Sequence, residues 1–418
     1  MRVYLRTFGC RANHYDSETA RAMIERAGHT MVATAAEAEL AVFNSCAVTA
    51  EAESDLRHAV RRAARQQPRL RSIIMGCATG LAATRDDTPL RGLPTVEHLV
   101  AGADMATLAA ALDLPPDVAF AHATAQTTVR ALLRVQDGCD EHCTFCATTI
   151  ARGANRSRAI DSLVAEARQL ADHHEEIVIT GIHIGSYGLD IGTSLGDLMA
   201  RLVAAVPRVR FRLSSLEATE VDDRLFELLT ADSARVAPHL HAPLQSGSDR
   251  LLKRMGRHWY SAERYAERVE RLAAKCCTFG LGADLIVGFP GETDDDHART
   301  VELVQRLPFT YLHVFPFSLR PGTAAGGLGP TVPPPVIADR SRELRELAVR
   351  KAAAYRSARA GGQADVIVVR GGTQREGVTE DYLTVLPEPP ALPRGTRYAA
   401  RLIAERDGLS AAPLAPST

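Results

Sequence analysis

Short apolar runs mark the opening of this chain. Val3-Tyr-Leu-Arg-Thr-Phe-Gly, Leu40-Ala-Val-Phe-Asn-Ser and Ile73-Ile-Met-Gly are rich in β-formers and read as strands. Amphipathic stretches over residues 17–27 and 50–65 lie between them and predict helices, which makes a small parallel α/β unit. From residue 130 the two periodicities alternate. Strands are predicted at 131–135, 176–181, 209–215, 239–245, 281–289 and 311–317, with helices at about 160–172, 194–206, 222–230, 261–275 and 294–307. Six strands alternating with helices argue for a partial (β/α)6 barrel, whose working end is the C-terminal end of its strands. A Pro/Gly-rich stretch, 320–335, reads as a linker and 338–360 as a long helix. Strand-like pieces at 366–369, 382–386 and 398–403 predict a small C-terminal β domain. The fold class is therefore α/β in three parts: residues 1–113, 129–360 and 361–418, with 114–128 as the linker before the barrel.

Composition narrows the setting. Of 418 residues, 46% are hydrophobic and 24% charged, as in ordinary folded proteins. No apolar run approaches a membrane span, and the first residues lack a signal-peptide layout, so no membrane partner and a cytoplasmic location are expected. The net charge of −1 means that any nucleic acid must be held by local patches.

Eight cysteines in such a chain are not a disulfide framework. Cys276 and Cys277 fit the end of an amphipathic helix as small apolar residues. The other six group. Cys139, Cys143 and Cys146 stand in C-x3-C-x2-C spacing in the loop after the first barrel strand. Three local thiolates are one short of a closed zinc site, but on a four-iron cluster they leave one iron open to a ligand. Cys10, Cys46 and Cys77 each follow one of the three N-terminal strands. Parallel strands end at one crevice, so these thiols are expected to meet there as a second three-ligand site.

The Cys139 loop, with Phe145 just before its last cysteine, resembles the signature of the radical S-adenosylmethionine (SAM) superfamily. Two three-cysteine sites in this order resemble the methylthiotransferases, which carry an N-terminal cluster domain, a central barrel and a C-terminal RNA-binding TRAM domain. The stretches Gly9-Cys-Arg-Ala-Asn13, Asn44-Ser-Cys-Ala-Val-Thr49, Thr180-Gly-Ile-His-Ile-Gly-Ser-Tyr-Gly188 and His241-Ala-Pro-Leu-Gln-Ser-Gly-Ser-Asp249 are most similar to the branch acting on threonylcarbamoyladenosine in tRNA. The isopentenyladenosine and ribosomal-protein aspartate branches are the alternatives. Two stretches depart from the family pattern, Cys77-Ala-Thr-Gly and Cys146-Ala-Thr-Thr, and neither touches a cysteine ligand.

The resemblance implies two [4Fe-4S] clusters and SAM as cofactors. It implies SAM contacts from Phe145, Gly181, Glu217, Gln245, Ile286 and Gly288. It implies hydrogen abstraction from C2 of adenine 37 in the anticodon loop, followed by transfer of a methylthio group. An electron donor protein and a sulfur source are implied as partners beside tRNA. C2 carries neither an acidic proton nor a leaving group, so no general acid or base is assigned. Basic groups are candidate RNA contacts: Arg57, Arg61 and Arg65 on one helix face, Arg152, Arg156 and Arg158 beside the barrel loop, and Arg250, Lys253, Arg254 and Arg257. The C-terminal β domain is expected to be TRAM-like.

Overall fold

The computed structural model describes residues 1–47, 50–83, 89–115, 123–231, 235–388, 392–406 and 408–414. The expected linker 114–128 falls partly outside them.

The N-terminal unit is a five-stranded parallel sheet in the order Thr30–Met31, Arg2–Thr7, Leu40–Ser45, Arg71–Gly76, Val96–Ala101. Leu40–Ser45 is buried along its whole length, as expected for a parallel strand covered on both faces. Arg11–Arg26 and Met105–Ala111 cover one face through Ala20, Met23, Ile24 and Leu108. Ala50–Gln66 and Cys77–Ala83 cover the other through Leu56, Val60 and Leu81. Two strands went unread in the sequence. Thr30–Met31 is too short to carry a period, and Val96–Ala101 is an edge strand with exposed Glu97 and His98.

The six barrel strands run parallel and in chain order. Ala131–Arg134, Glu176–Thr180 and Arg210–Leu213 form one half, and His239–His241, Gly280–Val287 and Tyr311–Pro316 the other. Bridges at Phe211–Val236 and Ser215–His241 join the halves. Helix starts are locally encoded: Ser194, Asp222, Ser261 and Thr293 each accept a backbone N–H of the following turn, and Thr293 completes a capping box with Asp296. The barrel is not closed on itself. The first helix of the N-terminal unit lies along the open side, with Tyr15 packed on the inward side chains Leu132 and Val178. Ala147 and Ala151, just beyond the barrel's cysteine loop, share a core with the N-terminal sheet.

The long helix Pro334–Arg359 starts four residues before the expected 338, because proline is well suited to the first helical turn. The C-terminal unit is a closed barrel of Gln363–Arg370, Glu376–Val378, Thr384–Pro387, Gly408–Pro413 and Arg397–Glu405. Tyr382, expected in a strand, sits instead in a loop with φ 70°, where it plugs the N-terminal mouth of the large barrel. There Arg212 donates to the carbonyls of Thr379 and Glu380, at 2.9 Å each. No helix among the described residues is long and apolar enough to cross a membrane.

The barrel floor is held by a buried ion cluster. Glu176, fully buried, pairs with Arg210 at 2.5 Å, Arg212 at 2.8 Å and Arg130 at 3.6 Å. Burial alone would raise its pKa, but the arginines outweigh burial and hold the carboxyl well below its ordinary range. Its stabilisation is therefore complete at neutral pH and fades as pH falls below about 4. Glu176→Gln strands the guanidinium groups, so urea unfolding at pH 7 should report a loss of roughly 3–5 kcal/mol. A variant within 0.5 kcal/mol of wild type (about the scatter of a neutral surface change) would show the cluster to be dispensable.

Candidate active site

The backbone delivers all three N-terminal cysteines to one end of the sheet. Cys10 caps the helix Arg11–Arg26, Cys46 directly follows Leu40–Ser45, and Cys77 opens the helix Cys77–Ala83. Asn13 sits between two of them. Its Oδ1 lies 3.3 Å from Cys10 Sγ and 3.9 Å from Cys77 Sγ, and its amide donates to Asn44 Oδ1 and to the Ser45 carbonyl. Gly9, at φ +102°, closes the gap to Cys46: a Cβ there would stand 2.6 Å from Cys46 Cβ and 2.8 Å from its Sγ. Cys46 and Cys77 are buried while Cys10 is exposed.

The second trio lies on the loop after Ala131–Arg134. Gly138 makes the turn at φ +75°, and any Cβ there would run into the Ala154 carbonyl. Each sulfur has a donor aimed at it. The Glu141 N–H is 3.4 Å from Cys139 Sγ, the Thr148 N–H is 3.4 Å from Cys146 Sγ, and Arg257 Nη1 is 3.5 Å from Cys143 Sγ. His183 Nδ1 lies 3.7 Å from Cys139 Sγ while its Nε2 is 2.6 Å from Glu220. Burial opposes a charged imidazole, yet the contacts to Cys139 and Glu220 prevail and raise it to about 11.

A buried guanidinium serves each trio. Arg152 Nε donates to Cys77 Sγ at 3.2 Å and its Nη2 pairs with Asp16 at 2.8 Å. Arg257, beside Cys143, is held by Glu217 and Tyr260. Burial pushes the Cys77 thiol up to about 11 and the Cys143 thiol up to about 12, against the pull of these arginines. Thiols must lose their protons to bind metal, so the adjacent cations favour the liganded form. Grouped sulfurs and a compensating cation at each trio, with backbone N–H donors at the barrel one, suit a cysteine-held iron–sulfur cluster at each.

The other expected positions divide. Phe145 meets Phe289 edge-on, with ring centroids 6.4 Å apart, and Ile286 packs on the same apolar group. Gln245, at φ 65°, is a left-handed non-glycine residue at a strand end. A Cβ on Gly181 would lie 2.8 Å from the Gln136 carbonyl. Gly288 turns towards the long helix, where a Cβ would meet Ile337 at 2.5 Å, and its N–H is taken by Glu292. The Glu217 carboxylate is occupied by Arg257 and Trp259. It orients a guanidinium, a task the sequence did not reveal.

The arginine candidates separate by burial. Arg61 and Arg65 are exposed on the helix Ala50–Gln66, Arg57 lies 4.0 Å from Glu53, and the Arg156 side chain is 60% exposed. Arg152 is corrected: its side chain is 1% exposed and faces Cys77, Asp16 and Asp137, so it offers RNA no surface. Arg158 is likewise drawn inward by Glu166 at 2.6 Å and Tyr15 at 3.0 Å. In the third group, Arg257 is buried and Arg250 is bound to Asp296. A spacing argument cannot tell a solvated arginine from one drawn inward by acids that lie far away in sequence.

Sequence reasoning also missed an inward-facing polar wall. Asp284 accepts from His241 and His313, each at 3.1 Å, and Tyr311 bonds His239 at 2.9 Å and His241 at 3.1 Å. Period-2 alternation on the last three strands was the available signal. Gly9→Ala should displace Cys46 and empty the N-terminal trio alone. Iron per chain after anaerobic reconstitution should drop from about eight to about four, with the barrel cluster's electron paramagnetic resonance signal kept. Unchanged iron content would break the assignment.

Comparison with known proteins agrees with this geometry. Residues 2–100 match the model described as "Uncharacterized protein family UPF0004", and residues 133–304 match the radical SAM superfamily. The threonylcarbamoyladenosine tRNA methylthiotransferase MtaB of Thermotoga maritima is 34% identical over 85% of this chain and 83% of its own length. The tRNA-2-methylthio-N(6)-dimethylallyladenosine synthase of Mycolicibacterium vanbaalenii is 32% identical over 90% and 78%. The fold is similar to that of the radical SAM methyltransferase TsrM from Kitasatospora setae, at TM-score 0.58 and 16% identity over 78% and 75% of the two chains. On these relatives and this pair of cysteine sites, the chain belongs to the radical SAM methylthiotransferase family.

Proposed function

We propose that this protein converts N6-threonylcarbamoyladenosine at position 37 of tRNA to its 2-methylthio derivative. The observation that carries the reading is the pairing of two open-ended cysteine trios across one interface, with Arg152 of the barrel touching Cys77 of the sheet. Relatives named as threonylcarbamoyladenosine methylthiotransferases, 34% identical in Thermotoga maritima and 36% in Rickettsia prowazekii, support the choice of substrate.

When bound, SAM and a reduced [4Fe-4S] cluster would supply the radical that removes hydrogen from C2, a further SAM the methyl group, and the second cluster the sulfur that carries it. The chain's own residues do the rest. Cys139, Cys143 and Cys146 grip one cluster, and Cys10, Cys46 and Cys77 the other. His183 and Arg257 fix the sulfurs they face. Phe145 and Ile286 give SAM an apolar wall, while the Gly181 and Gln245 strand ends bring backbone close to it. Tyr15 and the Tyr382 loop close the side and floor of the barrel and keep water from the radical. Residues 1–113 then act as the sulfur-donating part, 129–360 as the SAM-cleaving part, and 361–418 as a TRAM-like RNA holder. Arg61, Arg65 and Arg156 are the exposed arginines offered to anticodon-loop phosphates. The cycle calls on an electron donor protein and a sulfur source, in the cytoplasm where tRNA is modified.

Two variants separate the halves. Cys143→Ala should abolish SAM cleavage. Cys46→Ala should keep SAM cleavage and lose methylthiolation, as read by mass spectrometry of nucleosides after incubation with SAM, reductant and threonylcarbamoylated tRNA. Methylthiolation by the Cys46 variant, or a wild-type protein inert on this tRNA, would overturn the proposal.

A further inference from the structure

Arg11 is the first residue of the helix that Cys10 caps, and it reaches away from the sheet to the barrel floor. Its Nη2 donates to the Tyr382 hydroxyl at 3.1 Å. Two further guanidinium groups flank the same ring, Arg130 at 5.6 Å and Arg212 at 5.3 Å from its centroid. Those two share the single negative charge of Glu176 with Arg210, so it offsets them only in part. Among the described residues no carboxylate pairs with Arg11, which is half-buried. The acid of the facing strand, Asp284, is already held by His241 and His313. The neighbouring His239 is fully buried and driven towards its neutral form by burial and by Arg212, so it adds no further positive charge.

The floor next to Cys10 thus carries positive charge in excess, partly out of water. A half-buried cation without an anionic partner is costly, and an arriving anion relieves that cost. Tyr382 is kept in the left-handed region beneath it, a strained backbone that the surrounding contacts must hold in place.

We propose that Arg11 binds the carboxylate on the N6 side chain of the substrate adenosine and so selects threonylcarbamoyladenosine. This rests on the substrate named above. The threonylcarbamoyl group ends in a carboxylate, and a guanidinium matches that planar anion with two parallel hydrogen bonds. N6 and C2 flank N1 on one edge of adenine. Anchoring the side chain beside Cys10 therefore brings C2 towards the N-terminal sulfur site. A dimethylallyl side chain is apolar and would leave Arg11 unpaired, the kind of mismatch that discriminates strongly.

A four-way cycle tests it with the two-cluster holoprotein. Wild type and Arg11→Gln are each assayed on an anticodon stem–loop carrying threonylcarbamoyladenosine and on the same stem–loop with that carboxylate as its methyl ester. Each single change should raise KM by about 30-fold or more, with kcat changed far less. Both together should cost no more than one, and Arg11→Lys should recover part of the loss on the acid. Wild type turning over acid and ester equally would overturn the inference whatever the variant's stability. Losses that multiply would make Arg11 a structural residue. A wild type inert on the acid but active on a dimethylallyl stem–loop would instead bring down the substrate assignment, and this inference with it.

Discussion

The contact on which this architecture turns is a hydrogen bond between parts distant in sequence, Arg152 Nε to Cys77 Sγ at 3.2 Å. A buried thiolate needs a cation, and a buried guanidinium needs acids. Arg152 meets both needs at once by taking Asp16 of the N-terminal helix, Asp137 of the barrel and the sulfur of the sheet. The N-terminal unit and the barrel are thereby registered against each other at the point where their cysteine sites approach. Small residues permit that closeness: a Cβ on Gly80 would collide with the Ala151 carbonyl.

The same logic recurs at the barrel trio with different parts. Arg257 faces Cys143 and is steered by Glu217 and Tyr260, while His183 links Cys139 to Glu220. Both sites place fixed positive charge against sulfur. Such charge lowers the cost of deprotonating buried thiols and shapes the field around any cluster they hold.

The barrel floor solves a related problem. Six strands do not close a barrel, so the inner face must be covered from elsewhere. The N-terminal helix covers its side through Tyr15, and the C-terminal loop enters from below with Tyr382. Glu176 and its arginines bind that loop to the strands. Three parts of the chain therefore meet at the inner face of the barrel, and Arg11 joins the first of them to the last through Tyr382.

By itself the sequence determined the periodic elements and the grouping of six cysteines into two trios. Apolar runs and caps are local, so all six barrel strands and the five longer helices between them were legible to within a few residues, while the short helices Thr148–Arg152 and Asp249–Arg254 were not. The C-x3-C-x2-C loop was equally local, and the strand-end rule brought Cys10, Cys46 and Cys77 together because parallel strands share a C-terminal edge. Only the tertiary structure decided the partners of charged side chains. Arg152, Arg156 and Arg158 look alike in the sequence, yet one is buried against sulfur, one is exposed and one is bound to Glu166. Glu217, Arg257, Arg11 and Tyr382 take their roles from neighbours tens to hundreds of residues away. Charge pairing acts through space, and no spacing along the chain encodes it.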